Sequence, residues 1–335
     1  MNRRIRWAAV AVVALVVPVT VAVHDAAAAT ITYSTTTTIG TDGVGRIDDG
    51  ASSIPSVGVE DMVTIGNTVY VGGAFRVVRD RAGGPHQQAY LAAFDGTTGD
   101  WLKWFRPELD GPVNSLVATP DGKLLVGGEF LSANRTASTA GLVKLDPSTG
   151  RVVPGFIASL SRESERNGPA EVEEIRLSQT YAYVVGTFSK VVGGPAASPT
   201  TASVKGAARL SFDTGRPAPA WRPNVLGGGL RTVAVRPDDS QVFLGGRMTS
   251  VDNKAATTTL AAVDGVTGAV VPGWKGGLPW SSSAAWVGTG GIVYGLGLVG
   301  DRLFIGGAEH AWAIKNATTG VTTGVYASGN DTQRV

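Results

Sequence analysis

The chain has 335 residues, of which 46 are Gly and 17 are Pro, and only 17% are charged. An average soluble domain has about 25% charged residues and about 7% Gly. The composition therefore excludes long solvated helices and favours short strands separated by glycine turns. The apolar fraction of 43% excludes a disordered chain, and the absence of cysteine excludes thiol catalysis, disulfides and cysteine-based zinc sites.

The first 29 residues have the pattern of a secretory signal peptide. Three arginines within the first six residues precede an apolar run over residues 8–23, and alanines occupy residues 26–29. A basic start, an apolar centre and small residues at a cleavage site are what signal peptidase substrates share. The apolar run is shorter than the roughly 20 residues that a spanning helix needs. We predict a secreted, extracellular or cell-wall-associated protein with no membrane span; the sequence leaves the Sec and twin-arginine routes open.

Residues 30–58 form a Thr-rich and then Gly/Asp-rich segment that precedes the repeats and has the length to lend one closing strand. Once residues 1–29 are removed, the chain carries equal numbers of basic and acidic side chains. A neutral chain has no basic surface for phosphate backbones. We therefore predict no nucleic-acid partner.

From residue 59 onward the chain consists of five repeats. In the first repeat we predict four strands, at 59–65, 69–75, 89–95 and 101–105. Four-stranded antiparallel units repeated at this spacing predict a β-propeller over residues 59–335. The second strand of each repeat, in four cases with a Gly-Gly pair, reads VYVGGAF from Val69, LLVGGEF from Leu124, AYVVGTF from Ala182, VFLGGRM from Val242 and LFIGGAE from Leu303.

A Thr-Gly pair follows each of these strands, with Asp or Asn three residues before the Thr in four repeats and Ser211 in the third. Such a run is typical of a turn in which the Asp caps backbone amides. Aromatic residues come soon after. Trp101, Trp104, Trp221 and Trp274 recur in register, so we predict that they lie in the core.

The Val-Gly-Gly-x-Phe strand followed by the Asp-x-x-Thr-Gly turn resembles the delta-60-type repeats of secreted actinobacterial β-propellers, over residues 59 to about 326. The stretch AAFDGTTGDWLKW also resembles the tryptophan-docking repeat of quinoprotein dehydrogenases, which belong to the same propeller superfamily. These resemblances imply blade packing and secretion and assign no activity. The vicinal cysteines of the quinoproteins are absent, so we predict no cofactor. The pattern stops after Tyr326, which predicts further blades or a C-terminal domain in a longer gene product.

Strand alternation divides the turns between two faces. The first-to-second and third-to-fourth turns are tight and share one face, whereas the second-to-third loops and the links between repeats are long and share the other. We call the latter the loop face. Binding residues concentrate on loops held by a rigid scaffold, so we predict the ligand site there, near the fourth and fifth repeats.

The candidate ligand-binding residues on the loop face are two tryptophans outside the repeat, the two histidines that follow the signal peptide, and charged neighbours of those histidines. Aromatic side chains of this kind provide stacking surfaces for sugar rings. Solvated loop histidines and a hydrophobic lid are the structural alternatives. The predicted set is Trp280, Trp286, Glu309, His310, Arg79 and His86.

Carboxylates at the starts of the first strands are a second candidate, either as an acid and base pair for glycoside cleavage or in structural roles. Neighbours in a strand point to opposite sides. No Asp-x-Asp-x-Asp-Gly calcium loop occurs, and we assign neither a metal nor a catalytic residue. The carboxylates concerned are Glu60, Asp61, Glu171, Glu173 and Glu174.

The leading hypothesis from the sequence is a binding or scaffold module for a carbohydrate or protein ligand, not an enzyme. The alternative is an enzyme on the same scaffold, either a glycan hydrolase or lyase or a quinoprotein-like oxidoreductase. An enzyme requires clustered ionisable groups with perturbed pKa values in one pocket.

Overall fold

The computed structural model of the protein describes residues 43–45, 58–80, 84–163, 169–277, 291–307 and 311–327. Within these ranges the chain forms 22 β-strands and one short 3-10 helix at Ala255–Thr257. The strands pair antiparallel in separate sheets of three or four strands. The prediction of an all-β protein is confirmed.

Five sheets follow one another along the chain and share one topology, in which each strand pairs with the next strand of its sheet. We call them sheets 1 to 5. Sheet 1 contains β2 (Val59–Ile65), β3 (Thr68–Gly73) and β6 (Leu91–Asp95), sheet 2 contains β7 (Val113–Ala118), β8 (Leu124–Gly128) and β9 (Leu142–Leu145), sheet 3 contains β11 (Glu171–Leu177), β12 (Tyr181–Thr187) and β15 (Ala207–Ser211), sheet 4 contains β16 (Val225–Val235), β17 (Gln241–Val251) and β18 (Leu260–Asp264), and sheet 5 contains β19 (Val293–Val299), β20 (Arg302–Gly307), β21 (Ala311–Asn316) and β22 (Thr322–Ala327).

The fourth strand predicted for each repeat forms in full only in sheet 5, within the described ranges. In sheets 1 to 4 it is reduced to a single bridge, such as Phe94 with Trp101 in sheet 1. Proline explains the loss in sheets 2, 3 and 4, where Pro154, Pro217 and Pro272 lie at the bridged residue or two residues beyond it. Proline has no N–H with which to continue a ladder.

Two of the long second-to-third loops contain β-hairpins. Both contain neighbouring valines, which favour extended backbone. Each hairpin is joined by a third strand from an earlier part of the chain. The first of these small sheets contains β1 (Gly43–Gly45), β4 (Val77–Arg79) and β5 (Pro85–Gln87), and the second contains β10 (Ala158–Ser161), β13 (Lys190–Gly193) and β14 (Thr200–Ser203).

Consecutive large sheets pack face to face and bury one apolar cluster at each junction. The first glycine of the Gly-Gly pair makes this approach possible. A Cβ built on Gly72 would lie 2.5 Å from Cγ1 of Val113 in sheet 2, and one built on Gly127 would lie 2.5 Å from Cγ1 of Val172 in sheet 3. Because these glycines have no Cβ, each leaves space for a valine side chain of the next sheet.

The Thr-Gly turns close as predicted. The carboxylate of Asp95 accepts hydrogen bonds from the backbone N–H groups of Thr97 and Thr98, at 2.9 and 2.8 Å. Gly99 follows with a φ of +72°, in the left-handed region where glycine carries no steric penalty. In the same way, the carboxylate of Asp264 accepts hydrogen bonds from the backbone N–H groups of Val266 and Thr267.

These turns also link the sheets. The residue that follows the turn Asp, Ser or Asn accepts a hydrogen bond, through its backbone carbonyl, from a side chain of the preceding repeat. Four such carbonyls are bonded in this way, and their donors differ in type. The pairs are Tyr70 Oη to Pro147 O at 2.8 Å, Lys144 Nζ to Phe212 O at 2.9 Å, Arg209 to Gly265 O, and Trp274 Nε1 to Ala317 O at 2.9 Å.

Three of the four tryptophans predicted to lie in the core do so, because Trp101, Trp221 and Trp274 are all buried. The prediction is wrong for Trp104, which is 51% exposed. Trp104 lies beyond the single bridge at Trp101, where the fourth strand has already ended, and its ring makes an edge contact with that of Phe105.

Candidate functional site: a polar cavity at the first strands

A β-bulge recurs in the first strand of every large sheet. In β2, Val59 pairs with Gly73 and Asp61 pairs with Gly72, which leaves Glu60 outside the register. Bulges re-aim a side chain and are frequent beside functional sites. The residues at the bulge in sheets 1 to 5 are Glu60, Asn114, Glu173, Arg231 and Tyr294.

All five of these side chains line a single cavity of about 570 Å³, which we call the polar cavity. The first strands of five sheets therefore converge on one space. In sheets 1, 2, 3 and 5 the bulge lies near the end of the first strand that is remote from the tight turn to the second strand, so the cavity lies toward the loop face. The other residues that line it are Glu129, Glu171, Glu174, Arg176, Gly295 and Leu296.

In sheets 1 to 4 the side chain of the residue after the bulge takes part in a hydrogen bond with the backbone of the next sheet. Asp61 Oδ2 accepts a hydrogen bond of 2.8 Å from the N–H of Leu116 in sheet 2. The predicted opposite directions of adjacent carboxylates are thus found for Glu60 and Asp61. The later junctions repeat the bond, from Ile175 N to Ser115 Oγ at 3.1 Å, from Val233 N to Glu174 Oε2 at 2.7 Å and from Leu296 N to Thr232 Oγ1 at 3.0 Å.

Glu173 has the most perturbed ionisation in the cavity. Burial raises its pKa to about 7, and the nearby carboxylate of Glu171 adds to the rise. Arg231 opposes the shift, because its guanidinium lies 2.5 Å from Glu173 Oε1. At neutral pH the Glu173 carboxyl therefore holds a proton in a large fraction of molecules.

The remaining charges make the cavity acidic overall. Burial, together with the carboxylates of Glu171 and Glu60, raises the pKa of Glu129. Glu174 is buried and pairs with Arg176 at 2.5 Å. The lining thus holds five glutamates and two arginines.

The six ligand-binding residues predicted from the sequence do not line this cavity where the structure describes them. Trp280, Trp286, Glu309 and His310 lie outside the described residues. Arg79 and His86 belong to the small sheet formed by β1, β4 and β5.

His86 is held by its neighbours in that small sheet. Its Nε2 lies 2.9 Å from Asp80 Oδ2, and its ring lies 5.1 Å from that of Trp101. Asp80 Oδ1 also accepts a hydrogen bond from the N–H of Gly84, at 2.8 Å. These contacts fasten the hairpin to sheet 1, which is a structural role.

The sequence reasoning missed Asn114, Glu129, Arg231 and Tyr294. A signal for Asn114, Arg231 and Tyr294 was present in the sequence. Each follows the Val or Leu that leads the first-strand pattern of its repeat, at the position of Glu60 and Glu173. Within the described ranges no three His, Asp or Glu side chains are grouped to hold a metal ion. No helix among the described residues is long and apolar enough to cross a membrane.

Comparisons with known proteins assign no family. No protein-family model matches the chain, and no curated protein is similar to it. Among solved structures, a crystal structure of the computationally designed Ika8 protein is similar with a TM-score of 0.42 and 12% sequence identity, over 82% of this chain and 76% of that chain.

Proposed function

We propose that sheets 1 to 5 are blades of a β-propeller and that the polar cavity is its axial ligand site. The observation that supports both proposals is the convergence of five equivalent bulge residues on one cavity. Radial repetition of small antiparallel sheets is the arrangement in which equivalent strands share a common axis.

The ligand is a carbohydrate in this proposal. Carboxylates accept hydrogen bonds from hydroxyl groups, whereas Arg231 and Asn114 donate them, so the lining can bind a group that is both donor and acceptor. Tyr294 is half-buried and adds an aromatic surface of the kind that packs on apolar sugar faces. A cavity of about 570 Å³ is of the size that holds small ligands.

A protein ligand is the less favoured occupant. Stable protein interfaces bury about 1,200–2,000 Å² and require an extended contact surface. The cavity by contrast is concave and lined by charged groups.

Binding can be tested with a glycan array followed by calorimetry on the selected glycan. Tyr294→Ala should weaken binding about tenfold, which corresponds to about 1.4 kcal/mol. Trp104→Ala, which removes an exposed aromatic outside the cavity, should bind as the wild type does. If both variants bind like the wild type, the ligand does not occupy the polar cavity.

Secretion remains part of the proposal, on the strength of the N-terminal sequence. Protein recovered from the medium of an expressing bacterium should begin within one or two residues of Thr30. Intact mass spectrometry measures this start, and a secreted chain that retains Met1 would contradict it.

Glycan cleavage is a second candidate, favoured by the raised pKa of Glu173. A carboxyl that is protonated near neutral pH can donate a proton to a leaving oxygen, while another glutamate of the lining serves as the second carboxylate. Release of reducing ends from the bound glycan tests this activity. Glu173→Gln should abolish release and retain binding, whereas no release by the wild-type protein leaves the binding function alone.

A further inference from the structure

A second cavity, of about 410 Å³, lies between sheets 3 and 4 and is separate from the polar cavity. We call it the basic cleft. It lies beside the polar cavity, because Leu230 lines the cleft whereas the next residue, Arg231, lines the polar cavity. Its lining includes Arg162, Thr187, Phe188, Ser189, Lys205 and Gly229.

An irregular stretch of β16 leaves this space open. Gly227 pairs with Met248 and Leu230 pairs with Gly246, so two glycines between them stand outside the register. A Cβ built on Gly229 would lie 3.2 Å from Thr187 Oγ1 across the cleft. A larger side chain there would narrow the cleft.

The charge of the cleft is opposite to that of the polar cavity. Its described lining contains two cations, Arg162 and Lys205, and no carboxylate. Lys205 Nζ donates a hydrogen bond of 2.6 Å to the amide oxygen of Asn224, a neutral partner that leaves the lysine charge available. Thr187 and Ser189 add hydroxyl groups to the lining, and the buried Phe188 lies between them in the chain. Ser189 Oγ accepts a hydrogen bond of 2.7 Å from the N–H of Glu163, and its own O–H can still donate.

We propose that the basic cleft binds the anionic group of a polysaccharide, a sugar carboxylate or sulfate. The cations attract the anionic group, and the serine and threonine hydroxyls pair with sugar hydroxyls. The concave shape and small volume suit one sugar unit and not the flat surface of an anionic membrane. This proposal does not depend on a ligand in the polar cavity.

Calorimetry on the full chain tests the proposal with four probes: a galacturonate hexamer, a sulfated maltohexaose, neutral maltohexaose and a glutamate hexapeptide. The first or second probe should bind, more weakly at higher salt because ions screen the contact. Whichever of the two binds identifies the anionic group. Binding of neutral maltohexaose at equal affinity, or of the peptide alone, would overturn the proposal.

Variants locate the binding. Lys205→Met and Arg162→Gln should each weaken it about tenfold, and Gly229→Val should weaken it without removing a charge. Lys103→Met, which removes an exposed charge in another part of the chain, is the matched control and should bind as the wild type does. Tyr294→Ala should also leave it unchanged, which separates this site from the polar cavity. Folded Lys205→Met and Gly229→Val variants that retain full affinity would refute the proposal.

Discussion

At the scale of single residues, the polar cavity separates carboxylates that are close in sequence into different environments. Asp61 and Glu174 accept backbone N–H bonds from the neighbouring sheet, so they are part of the structure. Glu60 and Glu173 are turned into the cavity by the bulges. At the first strands the bulge thus turns Glu60 and Glu173 toward the cavity, whose lining also includes Glu129, Glu171 and Glu174.

The raised pKa of Glu173 makes stability depend on pH. Between an unfolded value near 4.5 and a folded value of about 7, the folded state binds more protons than the unfolded state. Stability should therefore be highest near pH 5 and fall as the pH rises to 8. Between pH 5 and pH 8 this pKa difference corresponds to a loss on the order of 2–3 kcal/mol.

Thermal unfolding at pH 5 and pH 8 measures this dependence. Glu173→Gln should flatten the fall, because glutamine has no proton to lose. Glu108→Gln alters an exposed carboxylate paired with Arg135, and it should retain the wild-type profile. An unchanged pH profile in Glu173→Gln would assign the dependence to other groups.

At the scale of elements, the bulge of the first strand and the Gly-Gly pair of the second strand lie opposite each other and form one packing unit. The bulge lies opposite the glycine pair in four of the five large sheets, and Val185 replaces the first glycine in sheet 3. The first glycine then receives a valine of the next sheet. The sequence repeat thus encodes the sheet junction and the direction of the cavity residue together.

Gly127 gives the sharpest test of this contact. A Cβ there would lie 2.5 Å from Val172 Cγ1 and 2.9 Å from Ile175 Cδ1, both on buried residues. Gly127→Ala should lower the free energy of unfolding by about 1–3 kcal/mol. In Gly127→Ala with Val172→Ala the loss should be smaller than the sum of the two single losses, because the clash is removed.

Urea denaturation measures these differences. Gly229→Ala is the control: Gly229 is exposed and its Cβ would meet only the side-chain hydroxyl of Thr187, at 3.2 Å, so this change should alter stability by less than about 0.5 kcal/mol. Strict additivity of the double variant would argue against the packing of Val172 on Gly127.

The sequence predicted the first three strands of the repeats but did not indicate most of the residues that line the polar cavity, for related physical reasons. β2 spans the predicted residues, because period-two alternation and glycine turns are local signals. The inward direction of Arg231 and Tyr294 depends on a bulge that breaks this alternation, so periodicity cannot reveal it. The exposure of Trp104 likewise follows from a strand that ends early.

At the scale of the whole molecule, side chains bond each large sheet to the next, so that the sheets should unfold together. Thr232 is the clearest link because it connects three of them. Its buried hydroxyl donates to Glu174 Oε2 of sheet 3 at 2.7 Å and accepts from the N–H of Leu296 in sheet 5 at 3.0 Å. The loss of one hydroxyl in sheet 4 therefore affects both neighbours.

Thr232→Val keeps the shape of the side chain and leaves the N–H of Leu296 without its acceptor, which should cost about 1–3 kcal/mol. The amide of Leu296 should exchange with deuterium faster than in the wild type, as measured by hydrogen exchange with mass spectrometry. Thr232→Ser retains the hydroxyl and should restore most of the protection of that amide, although it loses a methyl group. If both variants exchange at the same rate, packing and not the hydrogen bond couples sheets 4 and 5.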